Sequence, residues 1–365
     1  MSRAQCGGLR FWISDFGFAS PLCQPNLKSS IVDCMILVGD IGGTKTRLAL
    51  FRRDGEHWIR GETESFPSQE AADFSEILRS FMNQHPVRLE SACFGAPGPV
   101  FAGEVDPPNL DWDVSEEDIK KALGIKVVKV VNDLVATAAA VPLLPSDKIL
   151  TLYEGRPSRV LEERYVVLAP GTGLGQAFLV IREGNPFIFP SEGGHVDFAP
   201  TSDLQTKLLL YLLGRFPRVS YERVLSGPGL ENIYDFLRDT VFHGEPEELK
   251  ERFQLEDRAK VISEAGLEGT HAIAVEALNV FTNILGAYAG NLALTFRANR
   301  GVFLGGGIPP KMIDKLRQGE AVKAFLKKER MADLVAAIPL RVIMDDHAAL
   351  LGAASIAARE LEARS

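Results

Sequence analysis

"VGDIGGTKTRLALF", residues 38–51, decides how this 365-residue chain is read. It comes close to the phosphate-loop pattern G-x-x-x-x-G-K-[ST], but Thr44 stands where the second glycine belongs, just before Lys45 and Thr46. The apolar run "MILVGD" leads into the glycines, and the alternating "TRLALF" leaves them. That order is strand, glycine turn, strand. A phosphate loop passes from strand into helix, whereas this stretch continues into another turn, "RRDGEHW". A hairpin is therefore predicted, with Lys45 incidental.

The same design returns in "YVVLAPGTGLGQAFLVI", residues 165–181. Either hairpin alone is compatible with an ordinary tight turn. Two of one kind, one in each half, point to two related α/β domains that each offer a turn to a shared cleft. Glycines there let backbone N–H groups approach a ligand closely. The expected division is a small domain, 35–143 plus 345–365, and a large domain, 144–344. Residues 1–34 have no sustained periodicity and no secretory pattern. They are read as a disordered or misannotated extension, with Met35 as the natural start.

Between the hairpins, "LESACFGAPGPV" reads as a strand ending in a turn, and "IKVVKVVND" as a strand ending in Asn132-Asp133. "LVATAAAV" then reads as a helix. Polar groups at the C-terminal ends of strands in an α/β sheet are the usual place for ligands. Further on, helices are expected over 201–214 and 229–240 and through "HAIAVEALNVFTNILGAYAGNLALTF". Glu276, Asn279, Asn283 and Asn291 interrupt that last stretch, so it reads as a core helix and not a membrane span. "GVFLGGGIPP" gives a late strand and glycine turn, and "DDHAALLGAASIAAREL" a closing helix.

Bulk properties agree. Hydrophobic residues make up 46% and charged residues 24%, as in a soluble globular protein. The length exceeds one ordinary core. With a net charge of −8 and no basic run, nucleic acid is excluded as a main partner. Cys6, Cys23, Cys34 and Cys93 lack C-x-x-C spacing, which argues against a zinc site or a disulfide framework and fits a reducing cytoplasm. Cys93 is expected to be a small buried hydrophobe.

Together, "VGDIGGT", "VVNDLVA", "GTGLG", "EGGHVDFAP", "ERVLSGPGL" and "GNLAL…GVFLGGGI" resemble the sugar-kinase branch of the actin-like ATPase (ribonuclease H-like) fold. More closely, they resemble the bacterial glucokinases of the hexokinase-like group, from Met35 to nearly the end. The resemblance implies a two-domain α/β fold with an interdomain cleft, ATP and Mg²⁺ as cofactors, glucose as substrate and a homodimer in the cytoplasm.

A kinase must hold the triphosphate, its Mg²⁺ and the attacking hydroxyl in line. The amides of Gly42, Gly43 and Thr44 can cradle phosphate oxygens, and Asp40 can hold Mg²⁺ through water. The resemblance extends the nucleotide-binding stretch over Gly39, Asp40, Ile41, Gly42, Gly43 and Thr44. It places Gly171, Thr172 and Gly173 across the cleft and Gly305 and Gly306 against the adenosine. Asp133 becomes the general base for the sugar 6-hydroxyl. From spacing alone, Asn132-Asp133 serves equally well as a helix cap. The sugar contacts implied are Asn132, Asp133, Glu192, His195 and Glu222. Taken singly, His195 reads as a structural histidine and Glu222 as a surface carboxylate.

Departures are Thr44-Lys45-Thr46-Arg47 where the family reads Thr-Asn-Ala-Arg, Ser191 where it often has glycine, and Pro170 before "GTGLG". Three rivals remain. One is a kinase for another hexose in the repressor-and-sugar-kinase family, against which the cysteine-free "GGHVDFAPTSDLQTKLL" counts. Another is a non-catalytic sugar-sensing regulator, for which residues 1–34 are too short and irregular to form a helix-turn-helix. The third is an actin-like or chaperone-like ATPase, which would not need Glu192, His195 and Glu222.

Overall fold

The computed structural model describes residues 35–54, 57–156 and 162–364. The reading of residues 1–34, with Cys6, Cys23 and Cys34, lies outside them. The strands are β1 (Met35–Ile41), β2 (Lys45–Asp54), β3 (His57–Pro67) and β4 (Leu89–Ala96), then a short ribbon of β5 (Glu104–Val105) and β6 (Val114–Ser115), then β7 (Val127–Asn132). β1, β2 and β3 form an antiparallel meander, and β4 and β7 add parallel to β1, giving the sheet order β3-β2-β1-β4-β7.

The second sheet holds β8 (Ile149–Tyr153), β9 (Glu162–Pro170), β10 (Leu174–Arg182), β11 (Asn185–Ser191), β12 (Gly301–Leu304) and β13 (Leu340–Ile343). Its order is β11-β10-β9-β12-β13-β8. β9, β10 and β11 repeat the meander, and β12 and β13 repeat the two parallel additions. Only the antiparallel edge strand β8 breaks the likeness. The two glycine hairpins read from the sequence are thus the first turns of two sheets of one pattern.

The helices are α1 (Phe74–Gln84), α2 (Glu116–Leu123), α3 (Asp133–Ala140), α4 (Asp203–Leu213), α5 (Gly227–Leu237), α6 (Glu247–Arg252), α7 (Arg258–Glu268), α8 (Ala272–Phe296), α9 (Ile313–Arg317), α10 (Glu320–Leu326), α11 (Ala332–Ala336) and α12 (Ala348–Glu362). α8 is long and apolar enough to cross a membrane by composition, yet most of it is buried against β9, β12, α5, α7 and α10. Fully burying each large apolar side chain there stabilises the fold by roughly 1.5–3 kcal/mol before the entropy of ordering is subtracted.

The alternation of β1 divides the core around the first sheet. Leu37 and Ile41 face one side, completed by Phe74, Phe81, Phe94 and Ile119. Ile36 and Val38 face the opposite way, onto Ala136, Ala139 and α12. α3 shares that second core and also a third, where Ala138 and Ala140 meet Val167, Ala177 and Phe303 of the other sheet. Its alanines let it lie close to both sheets. A Cβ on Gly352 of α12 would stand 1.8 Å from the Ala136 carbonyl oxygen, and one on Gly175 of β10 would stand 2.6 Å from Leu134. Both glycines therefore fix how near the neighbouring elements come to α3. Cys93 is fully buried there, and burial drives its thiol pKa far up, as its reading as a small hydrophobe requires.

Candidate active site

Three parallel strands of the first sheet, β1, β4 and β7, end at one edge. Asp40 pairs with Gly95 and Ala96 pairs with Asn132. A Cβ on Gly95 would lie 3.4 Å from the Asp133 Cα, so the missing side chain lets the start of α3 settle onto the strand ends. By the two-residue period of β1, Asp40 follows Ile36 and Val38 and shares their face, the one α3 covers.

Asn132 and Asp133 occupy the helix start. Asn132 is the N-cap: its Oδ1 accepts the Leu134 N–H at 2.9 Å, and its Nδ2 donates to the Gly98 carbonyl at 3.1 Å. The capping role weighed for this pair thus belongs to Asn132. Asp133 Oδ1 also accepts the Leu134 N–H, at 2.9 Å, and its other carboxylate oxygen has no such fixed partner among the described residues. Burial pushes the Asp133 carboxyl up to about 6; the charges of Asp40 and Glu192 push the same way, and the N–H groups of Leu134 and Asp133 hold it back. A carboxyl shaped by charges from both sheets stands where they meet. Burial raises Asp40 as well, against the pull of Arg47, 3.8 Å away, and His347.

The hairpin turn between β1 and β2 is closed by the Gly42 N–H on the Lys45 carbonyl at 3.0 Å. Ser68 ties it down: its hydroxyl donates to the Gly42 carbonyl at 2.6 Å, and its N–H to the Thr44 carbonyl at 3.0 Å. Thr44 and Lys45 are exposed. Gly39 and Ile41 point the other way. A Cβ on Gly39 would meet Phe94 at 2.6 Å and Leu48 at 2.8 Å, while Ile41 is 1% exposed in the core. Within the stretch 39–44, these two residues shape the strand, Asp40 lies on the face toward α3, and Gly43 and Thr44 form the tip of the turn.

The other candidates lie at the ends of β9, β11 and β12 and in the 3-10 segment Tyr221–Arg223. Gly171 N–H bonds the Gly173 carbonyl at 2.8 Å, and the Gly227 N–H at the start of α5 bonds the Gly171 carbonyl at 2.9 Å. Thr172 sits in the same turn. Glu222 reaches under this turn and accepts the Leu174 N–H at 2.9 Å; a Cβ on Gly173 would stand 2.7 Å from that oxygen. The other Glu222 oxygen lies 3.9 Å from His195 Nδ1. Glu192 caps the one-turn 3-10 segment Gly193–His195, closed by the His195 N–H on the Glu192 carbonyl at 3.0 Å. After β12, Gly306 has φ +77°, and its Cβ would stand 2.6 Å from the Pro170 carbonyl oxygen, so glycine is required there by the protein itself. Gly305 has ordinary room for a Cβ.

The sequence reading missed the groups that hold the 192–195 turn. The Tyr288 hydroxyl donates to the Gly193 carbonyl at 2.7 Å and lies 3.0 Å from Gln176 Oε1. Gln176 Nε2 donates to Ser191 Oγ at 2.7 Å, which accepts the Gly193 N–H at 3.1 Å. A serine at 191 is thus integrated into the turn. Arg218 donates to the His195 carbonyl and, at 2.6 Å, to Asp197. A signal existed: Gln176 is a lone amide in the apolar strand "GQAFLVI", and a buried amide needs partners.

Among the described residues, no group of three or more His, Cys, Asp or Glu is arranged to hold a metal. Asp40 alone suits an ion that takes one or two carboxylates and fills its remaining positions with phosphate oxygens and water, as Mg²⁺ does.

A model of the glucokinase family matches residues 37–360. The glucokinase of Nostoc sp. is 36% identical over 342 residues, covering 89% of this chain and 99% of that protein. The solved glucokinase from an Antarctic psychrotroph superposes with a TM-score of 0.78 at 32% identity, covering 89% of this chain and 99% of that one. A ROK-family glucokinase from Streptomyces griseus, solved in complex with glucose and AMPPNP, has a TM-score of 0.60 at 20% identity over 89% of this chain and 99% of its own, a likeness of fold alone. With the match running over both sheets and every strand end that carries a candidate residue, this chain belongs to the glucokinase family.

Proposed function

We propose that this protein transfers the γ-phosphoryl group of ATP to the 6-hydroxyl of D-glucose, with Asp133 as general base. The observation that carries the reading is the position of Asp133, at the start of a helix packed between two sheets, with a pKa of about 6. A base of that pKa is ionised near neutral pH and still able to take a proton as the hydroxyl attacks.

The remaining roles are those the family resemblance implies, and the positions of the groups are consistent with them. Asn132, Glu192, His195 and Glu222 hold the sugar, the carboxylates accepting strong hydrogen bonds from its hydroxyls. The amides of Gly43, Thr44, Thr172 and Gly173 take the phosphate oxygens, those of Gly42 and Gly171 being engaged within their own turns, and the turn at Gly305 and Gly306 receives the adenosine. Asp40 would hold Mg²⁺, which neutralises charge on the phosphates during transfer. The small domain (35–143 with 345–365) and the large domain (144–344) are read as closing on the sugar, which excludes water from the phosphoryl group. The enzyme is read as a cytoplasmic homodimer.

The test is ADP release with Mg²⁺-ATP and a panel of hexoses, with Asp133→Ala alongside. Glucose-dependent turnover that collapses in the variant supports the reading. Turnover on a different hexose alone discards the specificity, and glucose binding without turnover points to a sensor.

A further inference from the structure

A cavity of about 700 Å³ opens between α4, α8 and α10, and none of Asp40, Asp133, Glu192, His195 or Glu222 lines it. Its chemistry is unlike that of a packing defect. Lys323, Lys327 and Lys328 line it, as do Glu276 and Glu320. Lys323 pairs with Glu320 at 2.7 Å, and Glu276 accepts from Asn279 at 2.8 Å. That leaves Lys327 and Lys328 without a carboxylate among the described residues. Lys328 is partly buried, donates to the Ala287 carbonyl at 2.8 Å and to Asn291 Oδ1 at 2.6 Å, and burial pushes its pKa down. Lys315, 6% exposed, stands behind the wall, donating to Asn279 and Gln318.

The other lining groups are amides and hydroxyls. Gln205 donates to Asn283 Oδ1 at 2.8 Å, and Thr201 and Ser202 bring in the capped N-terminus of α4, whose dipole favours negative charge. Unmatched ammonium groups, a helix start and a wall of amides together suit a ligand that is both charged and hydroxylated.

We propose that this cavity binds a small hydroxylated anion, a phosphorylated polyol or a hydroxycarboxylate, and that its occupancy is felt by the residues read above as sugar ligands. The second half rests on the proposed function. The connection is a short chain of contacts. Asn291, held by Lys328, donates to the Tyr221 hydroxyl at 3.3 Å. Tyr221 immediately precedes Glu222, and its ring stacks on that of Tyr288 at 3.7 Å. Tyr288 in turn bonds the Gly193 carbonyl between Glu192 and His195. An anion that draws Lys328 away from Asn291 loosens this chain and weakens sugar binding.

The experiment is calorimetric titration of the full chain with glycerol 3-phosphate and, separately, citrate, in saturating glucose and AMPPNP. Saturable 1:1 binding of either probe, weakened about 10-fold or more in Lys327→Glu, is expected. Lys327 is exposed and its side chain has no partner among the described residues, so the variant folds. The probe that binds assigns the ligand to the phosphate or the carboxylate class. No saturable binding, or equal binding by the variant, overturns the site. In the kinetic arm, the binding probe raises the KM for glucose about 5-fold or more, and Tyr221→Phe abolishes that rise while leaving the probe's Kd measured without glucose unchanged. Binding with an unchanged KM overturns the coupling. Absence of turnover on glucose counts against the proposed function, and the calorimetry still decides the site.

Discussion

Glu222 accepts the backbone N–H of Leu174 at 2.9 Å through the space that a side chain on Gly173 would occupy. One residue in the turn "GTGLG" and one in "ERVLSGPGL" are therefore fitted to each other, across a long stretch of chain. Gly173→Ala should push the flexible carboxylate aside and leave the fold intact. A charged hydrogen-bond acceptor misplaced at the sugar costs about 1.5–3 kcal/mol. The KM for glucose should rise roughly 10- to 100-fold, while thermal melting stays near wild type; an unchanged KM would show that Glu222 does not touch the sugar.

Asp133 carries a pH signature. Its folded pKa of about 6 lies above the ordinary value of 3.8. In its proposed role as base it works ionised, so kcat/KM should fall tenfold per pH unit below about 6. The stability effect has the opposite sense. Ionised Asp133 is disfavoured in the fold, a penalty fully present above the folded pKa and relieved as pH falls toward the unfolded value. Asp133→Asn should hence lose roughly 10²–10⁴ in kcat yet be more stable than wild type at pH 8, by roughly 3 kcal/mol, with the gap closing toward pH 4. Melts and rates across that range check both signs.

Gly305 and Gly306 should separate in a mutational comparison. Gly306→Ala forces a side chain onto φ +77° and against the Pro170 carbonyl. Destabilisation of roughly 1–3 kcal/mol is expected. Gly305→Ala meets nothing closer than 3.6 Å and should fold normally. If it raises the KM for ATP without lowering the melting temperature, adenosine lies against it.

Tyr288→Phe removes the donor that holds the Gly193 carbonyl and leaves the ring stack on Tyr221 in place. The 192–195 turn loses a partner at a cost of about 1–3 kcal/mol. Glu192 and His195, proposed above to hold the sugar, should become less well placed. The expected result is a KM for glucose raised roughly 10-fold with kcat changed far less. Equal losses in both would place Tyr288 in the chemical step.

Asp40→Asn keeps the shape of the side chain and removes its charge. The Mg²⁺ concentration giving half-maximal rate should rise at least about 10-fold, with glucose affinity, read by calorimetry without nucleotide, unchanged. Arg47, 3.8 Å from Asp40, supplies a control, since Arg47→Met should lower that Mg²⁺ requirement by removing a competing cation.

Much was legible in the sequence because it depends on local rules. The apolar run "MILVGD" and the alternation in "TRLALF" announced β1 and β2, the turn glycines announced the hairpin, and the second hairpin announced the second sheet. The outer meander strands β3 and β11 and the short helices α9–α11 were less visible, since their apolar periods are brief and tertiary contacts complete them. Gly95, Gly175 and Gly352 gave no signal of their purpose. Each is a glycine in ordinary strand or helix surroundings, needed only because another element passes close by.

Residue order alone specifies the strands, the two glycine turns, a helix cap at the Asn132-Asp133 pair and the family to which the chain belongs. All of these depend on the identity and order of neighbouring residues. The closed fold adds that Asp133 feels both Asp40 and Glu192, that Asn132 caps while Asp133 keeps an oxygen for other work, and that Gln176, Ser191 and Tyr288 fix the turn of Glu192 and His195. Those relations join residues far apart in the chain, and a carboxyl's pKa is set by the burial and charges around it, which exist only once the two sheets have closed on α3.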